Sequence, residues 1–213
     1  MKSAEELFDN YAEGWSILGH PWLKVSSSSL KGQPVTAITQ NKTEMVGLLR
    51  AILEKLETKG VALEVGLGRG GTHMLWRQLF PFVVSVENNA NAIATFAVGL
   101  PDADRTQGSM FVWGDSTTPE TRRATEEVLN GHDVDFLFID GNHAYPFVQS
   151  DFMNYEPFVR SGGIIGFHDT NGGGPGRLVK ALEAGEHPLS PKGAKFVHFL
   201  ESRRMGITYY VKP

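Results

Sequence analysis

The sequence predicts an α/β protein: a seven-stranded, mostly parallel sheet with helices on both faces, closed by an antiparallel C-terminal hairpin. Three observations lead there. From Val61 onward, short apolar runs alternate with helix-patterned segments, the mark of a parallel sheet built from βα units. The first run ends in a glycine-rich turn, Gly66-Leu67-Gly68-Arg69-Gly70-Gly71, directly before a helix-like segment. The last two β-rich runs, 194–201 and 206–212, are joined by the short link Ser202-Arg203-Arg204-Met205, which suits a hairpin.

Taken in order, residues 3–16 carry Leu7, Phe8, Tyr11 and Trp15 at helical spacing, with Ser3 as N-cap. Residues 20–41, rich in Ser, Pro and Gly, read as a loop or cover. Thr43–Thr58 is a helix whose apolar face holds Met45, Leu48, Leu49, Ile52 and Leu56, stopped by Gly60. Strands are expected at 61–65, 82–87, 109–114, 134–140 and 164–169, with helices at 71–79, 89–98, 119–129, 146–159 and 177–185. Thr118 and Pro119 open the third of these helices as N-cap and first-turn proline. Ser161-Gly162-Gly163 is expected to turn the chain into the fifth strand, and 171–176 to form a glycine loop. The chain reads as one domain over 1–213, with a core at 43–213 and a helix and loop at 1–42. Together with 171–176, that N-terminal piece is expected to close as a lid over the acceptor.

Composition narrows the function classes. The 213 residues suit one ordinary α/β domain, and 41% hydrophobic with 21% charged residues is the balance of a globular protein. A net charge of −4 gives no general attraction to nucleic acid or to an anionic membrane. The chain has no cysteine, which excludes disulfides, thiolate metal sites and a Cys nucleophile and fits a reducing compartment. No apolar h-region opens the sequence and no run is long enough to span a bilayer, so a cytoplasmic location is expected. Homo-oligomerisation is left open.

The glycine turn is a helix N-terminus at which a ligand can approach the backbone closely. By spacing alone it satisfies both GxGxxG (Gly66, Gly68, Gly71) and ExGxGxG (Glu64, Gly66, Gly68, Gly70). Glu87 follows Gly66 by 21 residues at the end of the second strand, where nucleotide-binding βαβ units hold a ribose hydroxyl pair. Asp115-Ser116 follows the third strand, where an adenine amino group needs an acceptor. Glu64 is placed to reach a cationic amino-acid moiety through an amide or water. These features favour a sulfonium nucleoside over a dinucleotide.

The pieces LEVGLGRGG, SVENN, WGDS, FIDGNHAY and GGIIGFHDT resemble the class I S-adenosylmethionine-dependent methyltransferases, with their Rossmann-like fold, from about Thr43 to the C-terminus. Within them, Gln40…Glu44, IDGNHAY and SGGIIGFHDT look most like the cephalosporin-hydroxylase-like and macrolide or sugar O-methyltransferase group. The resemblance implies S-adenosylmethionine as cofactor, with Gly66, Gly68 and Gly70 around its methionine part, Glu87 and Asn88 at the ribose, and Asp115 and Ser116 near the adenine. It implies methylation of a hydroxyl on a small sugar, polyketide or other natural product.

Asp140-Gly141-Asn142-His143 and His168-Asp169 close neighbouring strands, whose ends lie about 5 Å apart, so their side chains can converge beside the cofactor. Two carboxylates with polar neighbours suit a hard divalent ion. By the resemblance, Asp140 (also beside the cofactor) and Asp169 are metal ligands, His143 is the general base, and magnesium is the first-choice ion. The residue before Asp169 is acidic in the better-characterised members; here it is His168, an uncommon Mg²⁺ ligand better suited to Mn, Fe or Zn. Competing readings keep the fold but methylate an amine or a nucleic acid without metal, take His143, His168 and a carboxylate as an iron site, or make the protein a non-catalytic cofactor binder.

Overall fold

The computed structural model describes residues 2–9, 40–99, 108–201 and 205–213. The expected N-terminal lid falls largely on 10–39 and so lies outside the described residues. Within 2–9, residues 4–9 are helical, and Ser3 and Glu6 cap each other reciprocally: Glu6 N–H donates to Ser3 Oγ and Ser3 N–H to Glu6 Oε2.

The elements run α1 (Lys42–Lys55), β1 (Val61–Val65), α2 (Gly71–Arg77), β2 (Phe82–Glu87), α3 (Ala90–Gly99), β3 (Ser109–Trp113), α4 (Pro119–Leu129), β4 (Val134–Ile139), α5 (Tyr145–Tyr155), a 3₁₀ turn (Glu156–Phe158), β5 (Val159–His168), α6 (Gly173–Glu183), β6 (Val197–Phe199) and β7 (Ile207–Val211). They build one seven-stranded sheet in the order β3-β2-β1-β4-β5-β7-β6. β1 to β5 are parallel, and β7 runs antiparallel to both β5 and β6. The order reverses between β1 and β4, so the crevice beyond their carboxyl ends is where an open α/β sheet takes its ligand.

Alternation along the central strands sorts the core into two layers. Ala62, Phe136, Phe138, Ile164 and Tyr209 face α1 and α2, where Leu48, Leu49, Ile52 and Trp76 are buried. Leu63, Val65, Leu137, Ile139, Ile165 and Phe167 face the opposite layer, with Leu129 of α4, Phe152 and Tyr155 of α5, and Leu178 and Leu182 of α6. At the amino end of the sheet, away from the crevice, Asp135 accepts from the N–H groups of Gly60 and Val61, from Thr58 Oγ1 and from Arg160 Nε. That buried carboxylate is satisfied locally and serves the fold.

Several expected boundaries move, the helix expected at 146–159 among them ending at Tyr155, and three of the shifts have a legible physical reason. α1 ends at Lys55, with Leu56 as an extended C-cap, because Thr58 and Gly60 are drawn to Asp135. Ser161-Gly162-Gly163 lies inside β5, where the pairing register with β4 shifts between Val134 and Phe136, instead of turning the chain. The glycine loop at 171–176 is in fact the start of α6, which begins at Gly173. Its glycines serve close packing there: a Cβ on Gly174 would stand 2.4 Å from the His143 carbonyl oxygen, and one on Gly176 2.6 Å from that of Thr170.

Candidate active site

At the switch point a cleft of about 380 Å³ opens, lined among others by Gly66, Gly68, Glu87, Asn88, Gly114, Asp115, Ser116, Asp140 and Phe147. The loops after β1, β2, β3 and β4 each contribute, so four separate stretches of sequence meet at one sheet edge.

The glycine turn forms its floor. Gly66 has φ +97°, and a Cβ on it would collide with the Asp140 carbonyl oxygen at 2.3 Å, so only glycine fits between β1 and β4. Gly68 has φ +52° and open space where its side chain would be, which leaves the backbone bare to a ligand. Glu87 Oε2 accepts from the N–H groups of Leu67 and Gly68 at 3.1 Å each, and Oε1 from Asn89 N–H at 2.8 Å. The carboxylate therefore ties the turn to the end of β2 while facing the cleft. At the far end Asp115 Oδ1 accepts from the N–H and hydroxyl of Thr117, and Ser116 Oγ donates to Asp151 Oδ1 at 2.6 Å.

Beyond β4 and β5 lies a compact cluster. One donor atom each from Asp140, His143 and Asp169 lies within 4.8 Å of the others. His143 Nδ1 stands 3.0 Å from Asp169 Oδ2, and its Nε2 3.6 Å from Asp140 Oδ1. Asp169 adopts φ 55°, a left-handed turn that aspartate tolerates, where β5 ends. His168 approaches from the buried side, with Nδ1 3.0 Å from Asp140 Oδ1 and 3.5 Å from Asp169 Oδ2. Gln40 Nε2 donates to the other Asp140 oxygen at 2.6 Å.

The charges in this cluster are strongly coupled. The facing carboxylates of Asp140 and then Asp169 push the His143 imidazole up to about 10. Burial works against a charged His168, but the two carboxylates outweigh it and raise that imidazole to about 9. Burial likewise opposes ionisation of Asp140 and Asp169, yet both stay below the usual carboxylate range because the two imidazoles face them. Two anions thus confront two imidazolium cations. This is the charge that a divalent ion would supply, and His168 Nε2 is buried with no hydrogen-bond partner among the described residues. Two carboxylates with imidazole nitrogen beside them form a donor set that fits such an ion.

Not every expected site residue comes to the cleft. Glu64 follows Ala62 on the alternation of β1 and is fully buried on the α2 side, away from the lining residues. There it accepts from Trp76 Nε1 at 3.2 Å and from Ser85 Oγ at 2.7 Å. Burial, more than any neighbour, raises its carboxyl to about 8. Outside the lining, it can reach the amino-acid end of a cofactor only indirectly, as the expected route through an amide or water requires. His73 is a core histidine, its ring nitrogens 2.8 and 2.9 Å from Ser85 Oγ and Ser109 Oγ. Gln40 and Asp151 carried no role in the sequence. Gln40 lies in the Gln40…Glu44 piece that carries the resemblance, whereas Asp151 lies 35 residues from Ser116 on a helix, with no motif to join them.

A family profile described as a methyltransferase domain matches residues 63–170, just over half of the chain. The chain belongs to that family and is an S-adenosylmethionine-dependent methyltransferase. No curated protein matches it in sequence. Among solved structures, an rRNA methylase from Streptococcus thermophilus is similar at 8% identity and TM-score 0.61, covering 82% of this chain and 98% of that one. An O-methyltransferase from Bacillus cereus, in complex with S-adenosylhomocysteine, gives 15% identity and TM-score 0.59, covering 91% and 98%. The MycE methyltransferase of the mycinamycin biosynthetic pathway, in complex with Mg, S-adenosylhomocysteine and mycinamycin VI, gives 15% identity and TM-score 0.53, covering 78% of this chain and 49% of that one. At these identities the likeness establishes the fold. Among the described residues no helix is long and apolar enough to cross a membrane.

Proposed function

We propose that this methyltransferase moves the methyl group of S-adenosylmethionine to a hydroxyl oxygen of a small molecule, of the sugar, polyketide or other natural-product type. The observation that carries the reading is the convergence of Asp140, His143 and Asp169 at the edge that bears the glycine-turn cleft. The resemblance of this stretch to small-molecule O-methyltransferases supports it, as do one structural neighbour titled an O-methyltransferase and another, a methyltransferase, held in complex with mycinamycin VI.

Gly66 and Gly68 would border the methionine part, with Gly70, the expected third glycine, outside the cleft lining and packed on Phe96; Glu87 and Asn88 would meet the ribose, Asp115 and Ser116 the adenine, and Asp140 the end nearest the reacting carbon. Glu64 acts from beneath, holding Trp76 and Ser85 in the layer that supports the turn.

In the reaction the methyl carbon bonds to the acceptor oxygen as its bond to sulfur breaks. The electron pair stays on sulfur, and the acceptor proton must leave. His143 would take it, its half-exposed ring lying with Nδ1 beside Asp169. An imidazole between two bare carboxylates keeps its own proton at neutral pH and cannot act as a base. Asp140 and Asp169, with His168 beside them, would hold a divalent ion, which neutralises that charge and acidifies an acceptor hydroxyl. Magnesium fits the oxygens, and the adjacent nitrogen donors bring manganese-class ions within reach. Alignment of the acceptor oxygen with the methyl supplies the remaining large share of rate.

The test is to incubate the protein with S-adenosylmethionine and a panel of hydroxylated small molecules, with and without divalent ions, and follow S-adenosylhomocysteine release. Ion-dependent turnover on a hydroxylated acceptor is expected. Turnover on RNA or amines alone contradicts the assignment.

A further inference from the structure

We infer that Asp151 is a positioning residue that decides which nucleobase the cleft accepts. By taking the hydroxyl proton of Ser116, it leaves the Ser116 oxygen able only to accept, so this wall reads an exocyclic amino group and disfavours a carbonyl. The inference rests on the S-adenosylmethionine reading of the cleft.

α5 presents Asp151, Asn154 and Tyr155 at i, i+3 and i+4, hence on one face. All three reach the same residue. Ser116 Oγ donates to Asp151 Oδ1 at 2.6 Å, while Asn154 Nδ2 and Tyr155 Oη each donate to the Ser116 carbonyl at 3.0 Å. Ser116 is thereby fixed in both backbone and side chain. It lines the cleft, whereas Asp151 is wholly buried behind it.

A serine hydroxyl has one proton, and here the carboxylate holds it. Only lone pairs remain for the cleft. Asp115 beside it is a carboxylate, whose Oδ1 already accepts from Thr117. The end wall therefore offers acceptors from both residues. Adenine meets it with the two protons of its 6-amino group; a 6-oxo purine brings a third set of lone pairs against it.

Asp151 is also a costly way to hold a helix. Burial, and then the charge of Asp115, push its carboxyl up to about 6, and its Oδ2 is buried with no donor partner among the described residues. A clamp alone would be served by a neutral side chain. A carboxylate that cannot donate is what forces the Ser116 proton to point one way.

Calorimetric titration of the full chain with S-adenosylhomocysteine and with its deaminated counterpart, S-inosylhomocysteine, tests this. The wild type should favour the adenosyl compound at least tenfold, roughly the worth of one hydrogen bond gained against one lost. Asp151→Asn can donate to Ser116 Oγ and free the hydroxyl proton toward the cleft, so the preference should fall about tenfold. Ser116→Ala should lower it as well, and Asp151→Asn should change it no further in the Ser116→Ala background. The relay is overturned if Asp151→Asn keeps the preference, if it weakens both nucleosides equally with or without Ser116, or if the wild type shows no preference. Should Asp151→Asn fail to fold, an undiminished preference in Ser116→Ala overturns it alone. Binding of neither nucleoside by the wild type would remove the cofactor reading itself, and the relay with it.

Discussion

His143 Nδ1 stands 3.0 Å from Asp169 Oδ2, joining the loop beyond β4 to the residue beyond β5 across the edge that carries the cleft. This pairing gives the imidazole a fixed direction, and it links the proposed proton acceptor to a proposed metal ligand.

His143→Ala should lower kcat by about 10²–10⁴, the usual worth of a general base. The cleft proposed for the nucleoside is lined by other residues, so S-adenosylhomocysteine affinity should persist. Steady-state kinetics beside calorimetry checks the split; equal losses in both would make His143 part of the binding wall.

In protein stripped of metal by a chelator, the His143 ring should titrate near 10 by NMR, since both carboxylates hold its proton. Asp169→Asn removes one of them and should move that titration down toward the ordinary imidazole value. The same substitution should weaken Mn²⁺ binding followed by EPR. An unshifted His143 would mean that the contact with Asp169 carries little charge.

Glu64 predicts a pH dependence of stability. Its carboxyl is raised from 4.5 to about 8 by burial, so in that interval the folded chain keeps a proton the unfolded chain has lost. Stability therefore falls as pH rises from about 4.5 to about 8, by up to ~1.4 kcal/mol per unit. Glu64→Gln should flatten this slope by a few kcal/mol over the interval, measured by urea denaturation at several pH values. A parallel slope in both proteins would refute the burial argument.

Gly174→Ala should destabilise the protein by about 1–3 kcal/mol, an overpacking cost, because its Cβ would meet the His143 carbonyl oxygen at 2.4 Å. Activity should drop with it as His143 is pushed aside. Gly172→Ala is the control: its backbone is extended and the space at its Cβ is open, so it should be silent. Thermal melts and turnover of the two variants settle the matter.

Much of the fold was legible because the signals were local. β1, β2 and α4 have the expected limits, and Thr118 caps α4 as its side chain and the following proline imply. The C-terminal hairpin also forms as expected, with β6 and β7 paired antiparallel. The cleft residues Gly66, Gly68, Glu87, Asn88, Asp115, Ser116 and Asp140 stand together because each ends or follows a parallel strand, and such ends share one edge.

What escaped the sequence depends on side-chain direction and on distant contacts. Glu64 sits near the glycine turn in sequence, but strand alternation sends it to the Trp76 layer. The glycines of α6 suggested a loop, whereas their small size lets the helix lie against His143 and Thr170. Asp151 and Gln40 reach Ser116 and Asp140 across 35 and 100 residues, separations that no local pattern encodes.

The most direct test is a crystal structure of the protein with S-adenosylhomocysteine and a divalent ion. The account predicts the adenine against Asp115 and Ser116, the ribose at Glu87, and the thioether sulfur facing Asp140, His143 and Asp169. A nucleoside bound elsewhere, or one whose sulfur points away from those three side chains, would contradict it.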